Sequence, residues 1–259
     1  MSESTEANAL LVAGDLYMDR IEDGEHTGYV DVGNATQMAL EQSTEFQDLV
    51  SRRRETYGQL LASVPQPEPP EINITLDQIN RANLAMALLG DSSSYNQEAG
   101  TFSDQEVKLK GNNWTPLGLD KTQIKSDGLT IMKDTEELEI GTDIEVHYRT
   151  GWIRAMKGSE KVSGGDTVTV SGEYAADSGY RVRGAVRPTI RARLYLDGRN
   201  LADDSPIRVT VDMALLTPDS PVDFLSEEFV QLEMTGRMQT LPGNDSPFSV
   251  EVPDVSATP

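Results

Sequence analysis

Five acidic or imidazole side chains fall within eight residues: Asp19, Glu22, Asp23, Glu25 and His26. Carboxylates at this density suit a hard cation that takes oxygen ligands, yet the run lacks the twelve-residue pattern of a calcium loop. A solvated hairpin tip is the plainer expectation. His26 and His147 are the only histidines and stand apart, cysteine is absent, and no H-E-x-x-H spacing occurs, so no metal site is expected. The chain has no G-x-x-x-x-G-K-[ST] loop, no G-x-G-x-x-G after a strand and no G-x-S-x-G elbow. With 43 Asp and Glu, a glycosidase-like carboxylate pair has no discriminating position. Neither an enzyme nor a bound cofactor is expected.

The arginines carry more information. Arg52, Arg53 and Arg54 sit in the middle of a polar, weakly periodic stretch from Glu41 to Val64, with Phe46 and Tyr57 to either side. This stretch and the proline-rich link that follows it, VPQPEPPE, read as a long hairpin or projecting arm over residues 41–71. Structureless loops of that length inside a domain are uncommon unless they do something. The second arginine series lies in YRVRGAVRPTIRARLYL, Tyr180 to Leu196. There Arg181, Arg183, Arg187, Arg191 and Arg193 alternate with Val182, Val186, Ile190, Ala192 and Leu194, which predicts a strand with one guanidinium face and one apolar face. Gly184 and Pro188 predict a bulge or bend within it.

The elements that would carry these residues are mostly short strands. EINITLDQINRANLAMALLG, Glu71 to Gly90, is the exception. Ile72, Ile74 and Leu76 alternate as in a strand, and the spacing then predicts a helix over about 75–89. Thr75 would be the N-cap, with Gln78 completing a capping box, Ile74 and Ile79 forming a staple, and Gly90 as the stop. Ile79, Ala82, Met86 and Leu89 form one apolar stripe; Leu84 and Leu88 form a second, on another side. Burial in the chain's own core and burial against a neighbouring subunit both account for that second side. Further strands are expected at Leu10–Met18, Tyr29–Val32, Thr36–Leu40 and, beyond a flexible polar segment Asp91–Asp104, at intervals from Gln105 to Val170. The strand Ile207–Leu215 and one at Phe229–Thr235 follow. Glycines punctuate them at the spacing of a β-sandwich or barrel. A single domain is expected over 1–259, with a mobile leader at 1–9 and an extended proline-rich, acidic tail at 241–259.

Lysine and arginine number 22 against the 43 acids, a formal net charge of -21. Such a surface repels phosphate, so sequence-specific nucleic-acid binding is not expected. The acid is uneven: Asp177 to Arg208 alone carries more basic than acidic residues, 7 against 4. That strip could pair with acidic surface on another copy or with the chain's own. Salt adaptation of the host would also account for so much acid. No apolar run reaches the length of a membrane span, and the amino terminus lacks the build of a signal peptide.

The order of features resembles the major tail tube proteins of long-tailed, siphovirus-like bacteriophages. The residues that carry the resemblance are LLVAGDLYMD (Leu10–Asp19), YVDVGNATQMALE (Tyr29–Glu41), INITLDQINRANLAMALLG (Ile72–Gly90) and RPTIRARLYLDGRNLADDSP (Arg187–Pro206). The resemblance implies a mainly β, sandwich or barrel fold with one flanking helix and a structural role in the virion. Subunits would close into rings, commonly hexameric, that stack into a hollow tail tube assembled in the host cytoplasm. The lumen would pass viral DNA and hold the tape-measure protein, and the tube ends would meet the tail terminator and tail tip proteins. On that reading the subunit contacts fall to Leu84, Leu88, Phe46, Arg52, Arg53, Arg54, Tyr57, Arg181, Arg183, Arg191 and Arg193. Two alternatives stay open: another virion β-protein, such as a terminator or head decoration protein, or a carbohydrate-binding β-sandwich. The second would need an exposed aromatic platform, for which Trp114, Trp152 and Tyr180 are the candidates.

Overall fold

The computed structural model describes residues 9–253. Most of the leader and the last residues of the tail therefore lie outside the described residues. The protein is mainly β, with antiparallel sheets and one short helix. The chain opens with β1 (Val12–Glu22), β2 (Glu25–Asp31), β3 (Ala35–Glu41), β4 (Thr44–Val50), β5 (Leu60–Pro67) and β6 (Glu71–Leu76), followed by the helix α1 (Arg81–Ala87). Next come β7 (Asp91–Gln97), β8 (Gly100–Lys108), β9 (Thr115–Pro116), β10 (Thr130–Lys133) and β11 (Glu136–Glu137). Then follow β12 (Ile144–His147), β13 (Trp152–Ala155), β14 (Thr167–Tyr174) and β15 (Asp177–Arg183). The last four are β16 (Ile190–Asn200), β17 (Pro206–Pro218), β18 (Leu232–Met238) and β19 (Phe248–Glu251).

Among the described residues the chain divides into two compact units, one formed by the segment up to Ser92 together with that from Val182 onward, the other by Ser93–Arg181. Each has its own apolar cluster. The segment Asp91–Asp104, expected to be flexible, forms β7 and the start of β8 instead. Its low hydrophobicity reflects edge and ribbon positions with exposed side chains, where polar residues suit a strand as well as apolar ones.

The first unit is built on a sheet in the order β2-β1-β16-β17-β18-β6-β3, with β19 added to β17. Alternation decides which residues enter the core. In β16, Ile190, Ala192 and Leu194 are buried between Arg191 and Arg193, and in β6 Ile72, Ile74 and Leu76 are buried between polar neighbours. Gly14 stands opposite Gly198, and a β-carbon on Gly14 would lie 2.4 Å from the Asp197 carbonyl, so the two strands can approach only without one. The tail expected to be extended contributes β19, whose Ser249 and Val250 pair with Thr210 and Val209.

The helix is shorter than expected and starts later. Thr75 remains in β6, because its neighbours Ile74 and Leu76 are held in register with Met234 and Leu232. Gln78 does not close a capping box; its Oε1 accepts from the Asn34 backbone N–H at 3.2 Å. The N-cap is Asn80, whose Oδ1 accepts from Ala82 N and Asn83 N, each at 2.9 Å. The helix ends with Leu89 at φ +47°, and the Gly90 N–H reaches back to the Ala85 carbonyl at 2.8 Å. Gly90 is thus one residue beyond the left-handed position. Its missing side chain makes room for the Arg183 carbonyl, which a β-carbon would meet at 2.3 Å. Ile79, Met86 and Leu89 pack on the core as expected, and Asn83, 1% exposed, joins them. The Asn83 Nδ2 donates to the Val32 carbonyl at 2.8 Å and the Gln78 carbonyl at 2.7 Å.

The second unit contains the sheets β11-β10-β14-β8 and β12-β13-β9, closed over Ile131, Ile144, Ile153, Val168 and Val170. Beside this core the buried Asp143 accepts from Ser159 Oγ at 2.7 Å and from the Glu139 N–H at 3.0 Å. These two hydrogen bonds, with Lys161 nearby, hold its carboxyl below the usual aspartate range.

Two outcomes follow from these buried polar groups. Asn83→Ala leaves the Val32 and Gln78 carbonyls without their donor and should lower stability by about 2 kcal/mol in urea unfolding. The Asp143 carboxyl is depressed in the folded state, so its stabilisation is fully present above the ordinary value of 3.8 and is lost as pH falls through the depressed one. Thermal melts from pH 6 downwards (roughly to pH 2) should therefore show a shallower acid loss in Asp143→Asn than in the parent.

Candidate assembly surfaces

The arm expected over residues 41–71 is a β-hairpin. Strands β4 and β5 pair with each other over Thr44↔Pro67 to Val50↔Leu60, with a register shift at Leu49/Val50, and with no other strand. Every residue of both strands is exposed. The turn is closed by Ser51 N to Gln59 O at 2.8 Å, Gly58 N to Ser51 O at 2.9 Å and a Ser51–Thr56 hydroxyl pair at 2.7 Å. Cross-strand pairing puts Phe46 with Pro65 on one face and Leu49 with Ala62 and Gln47 with Val64 on the other. Apolar side chains therefore stand on both faces: Phe46 is 64% exposed, Leu49 60%, Leu61 60% and Val64 56%. Pro65 and Pro67 occupy alternate positions, so both missing N–H groups belong to one edge of β5, and that edge resists addition of a further strand. Arg52, Arg53 and Arg54 form the tip with Tyr57, all exposed, and make no ion pair among the described residues.

Leu84 and Leu88 are half-buried, and neither belongs to the apolar cluster that takes in Met86, Ala87, Ile79 and Leu89.

The second arginine series is not one face. β15 ends at Arg183 and β16 starts at Ile190, with Gly184–Thr189 between them and Ala185 at φ +57°. The bend anticipated at Gly184 and Pro188 is a full break, so alternation does not carry through it. Arg181 belongs to the second unit, its guanidinium 6.0 Å from the Tyr95 ring centroid. Arg183 and Arg191 are exposed in the first unit. Arg187 is engaged at home, donating through Nε to Asp91 at 2.8 Å. Arg193 is half-buried over Tyr29 at 5.8 Å, and its Nε meets no acceptor among the described residues. The structure thus leaves Arg183 and Arg191 as open cations of that series and draws Arg187 and Arg193 into packing.

The acidic run is the β1–β2 hairpin, turned at Asp23 and Gly24, which both have positive φ. Asp19 is not at its tip. It is 3% exposed and accepts from His26 Nδ1 at 2.7 Å and the Gly28 N–H at 2.8 Å. No three metal-capable side chains converge among the described residues. In the second unit the Trp114 and Trp152 rings lie 5.8 and 6.3 Å from that of His147, with the Arg154 guanidinium 4.4 Å over Trp114. Tyr180 is on β15, outside that group.

One surface escapes the sequence reading. Phe229 is predicted to open a strand, but β18 begins at Leu232, and the loop Asp219–Gln231 holds Phe224 69%, Leu225 93% and Phe229 97% exposed. The signal was present as apolar residues bracketed by Asp223, Glu227 and Glu228 without a period of two.

Fold and surfaces together define a mainly β protein of two units that carries groups of exposed apolar side chains on one hairpin and one loop. The chain belongs to the family described as Protein of unknown function UCP028589, whose model matches residues 9–245. A comparison with curated proteins finds no match.

If the half-buried side of the helix carrying Leu84 and Leu88 is a subunit contact, Leu84→Asp and Leu88→Asp should each keep the native circular dichroism spectrum while lowering the fraction that sediments as an assembly. Unfolding of either variant would assign the second helix side to the subunit's own core.

Proposed function

We propose that this protein is a structural subunit that assembles with copies of itself, and that the assembly is a bacteriophage tail tube. The observation that carries the reading is the β4–β5 hairpin, exposed along its whole length with apolar side chains on both faces. A two-stranded ribbon is marginal alone in water, and apolar patches of this kind mark surfaces that another molecule covers. The hairpin is the arm that joins one ring to the next, and Leu84 and Leu88 seal a joint between subunits. A ring requires a heterologous interface, one patch meeting a different patch on the next copy, which uneven charge along the chain favours. The net charge of -21 suits a conduit, since a wall that repels phosphate lets DNA pass without sticking. On this reading the partners are further copies in hexameric rings, the tape-measure protein and DNA in the lumen, and terminator and tip proteins at the ends, all within the virion tail. A terminator would instead form single closed rings.

Removing Phe46–Tyr57 should leave a folded subunit, because none of those residues contributes to either apolar cluster. Electron micrographs of the purified full chain are expected to show long hollow tubes, and those of the deletion none. Normal tubes from the deletion would remove the hairpin from the contact, and isolated monomers from the full chain would sink the tube reading.

A further inference from the structure

The hairpin tip and the Asp219–Gln231 loop have opposite character. The tip is basic and apolar: Arg52, Arg53 and Arg54 beside Tyr57, which is 78% exposed, in a chain where acids outnumber bases 43 to 22. The loop is acidic and apolar: Asp219, Asp223, Glu227 and Glu228, with no lysine or arginine, frame Phe224, Leu225 and Phe229.

The loop is held in its exposed form by local bonds. Its start is tied by Asp219 N to Glu233 O at 2.8 Å, and Val222 packs against the core of the first unit. Two small turns follow, Leu225 N to Asp223 Oδ1 at 2.9 Å and Glu228 N to Ser226 Oγ at 3.0 Å. With Val222 anchored, Phe224 and Leu225 stand outward. None of the four loop carboxylates, and none of the three tip guanidinium groups, is in an ion pair among the described residues.

We propose that the loop Asp219–Gln231 of one copy is the receptor for the β4–β5 hairpin tip of a neighbouring copy. Arg52, Arg53 and Arg54 meet the loop carboxylates, and Tyr57 meets the exposed Phe224, Leu225 and Phe229. The two patches differ, so the contact is heterologous and propagates from copy to copy. The occupant is a second copy of this chain because the charges match and neither patch has an ion pair among the described residues. The inference rests on the self-assembly reading and names the surface that receives the arm.

Cysteine is absent from the chain, so single cysteines report contacts cleanly. Tyr57→Cys and Phe229→Cys proteins, each otherwise full-length, are mixed under mild oxidation. A disulfide-linked heterodimer is expected at a yield roughly tenfold above that of Tyr57→Cys mixed with Ser126→Cys, a control in the second unit, and the yield should fall as salt is raised. Arg52→Glu/Arg53→Glu/Arg54→Glu in the first protein should abolish the link, and Asp223→Lys/Glu227→Lys/Glu228→Lys in the second should restore it. Restoration by the charge exchange cannot come from a misfolded variant. A yield no higher than the control overturns the inference, as does a link that the charge reversal leaves unchanged. Tubes in micrographs without the link would overturn this docking and leave the tube reading standing. A restored link without tubes would keep the docking and overturn the tube.

Discussion

The ladder between β16 and β17 is the constraint on which the first unit depends. Ile190 to Arg199 pair with Pro206 to Leu216, and the rest of the sheet grows from the two outer edges: β1 from β16, and β19 and then β18 along successive stretches of β17. The buried side chains of this pair, Ile190, Ala192, Leu194, Val211, Ala214 and Leu216, belong to the same apolar cluster as Met86 and Ala87 of α1. A register shift between Ala192 and Leu194 sets two residues of β17, Asp212 and Met213, against Arg193 alone. The pairing of β1 with β16 is non-local, so that edge of β1 is covered only by residues far along the chain.

Where one face of a strand is buried, its residues could be read. The alternation in β6, in the first half of β16 and in β17 is visible in the sequence because burial selects apolar residues at every second position. The projecting hairpin was visible too, though for a different reason: prolines and a charged triplet interrupt any core pattern between Glu41 and Glu71. What escaped was decided by tertiary partners. Thr75 and Gln78 match a capping box, but pairing of β6 with β3 and β18 holds Thr75 in the sheet, and Asn80 takes the cap. The arginine alternation from Tyr180 to Leu196 continues in the sequence across a break in the chain's direction that only Gly184 and Pro188 hint at. Phe229 reads as the start of a strand because aromatic residues favour strands, and single-residue propensity does not say on which side of a strand boundary a residue falls; β18 begins only at Leu232. Division into two units was equally out of reach, because polar ribbons such as β7 carry no core pattern at the point where one unit gives way to the other.

The acidic composition and the few exposed cations act at different levels. A net charge of -21 spreads a repulsive field over the surface, which opposes self-association unless local contacts overcome it. Ion pairs on the surface contribute about 0–1 kcal/mol each, too little for that task. Burying an exposed Phe or Leu contributes about 1.5–3 kcal/mol. On the proposed reading, apolar side chains on the hairpin and the Asp219–Gln231 loop supply the affinity, while the arginines and carboxylates around them select orientation and partner.

This division of labour also accounts for where the apolar exposure is found. Both faces of the hairpin carry apolar residues, so turning the ribbon over would not hide them, and the prolines of β5 deny one edge to a further strand. Solvent exposure of Leu225 and Phe229 is nearly complete, while Val222, three residues before Leu225, is packed inside. A subunit that had only to stay soluble would gain from polar residues at each of these positions. The two units have their own apolar cores without them, and on the proposed reading these side chains belong to surfaces that another copy completes.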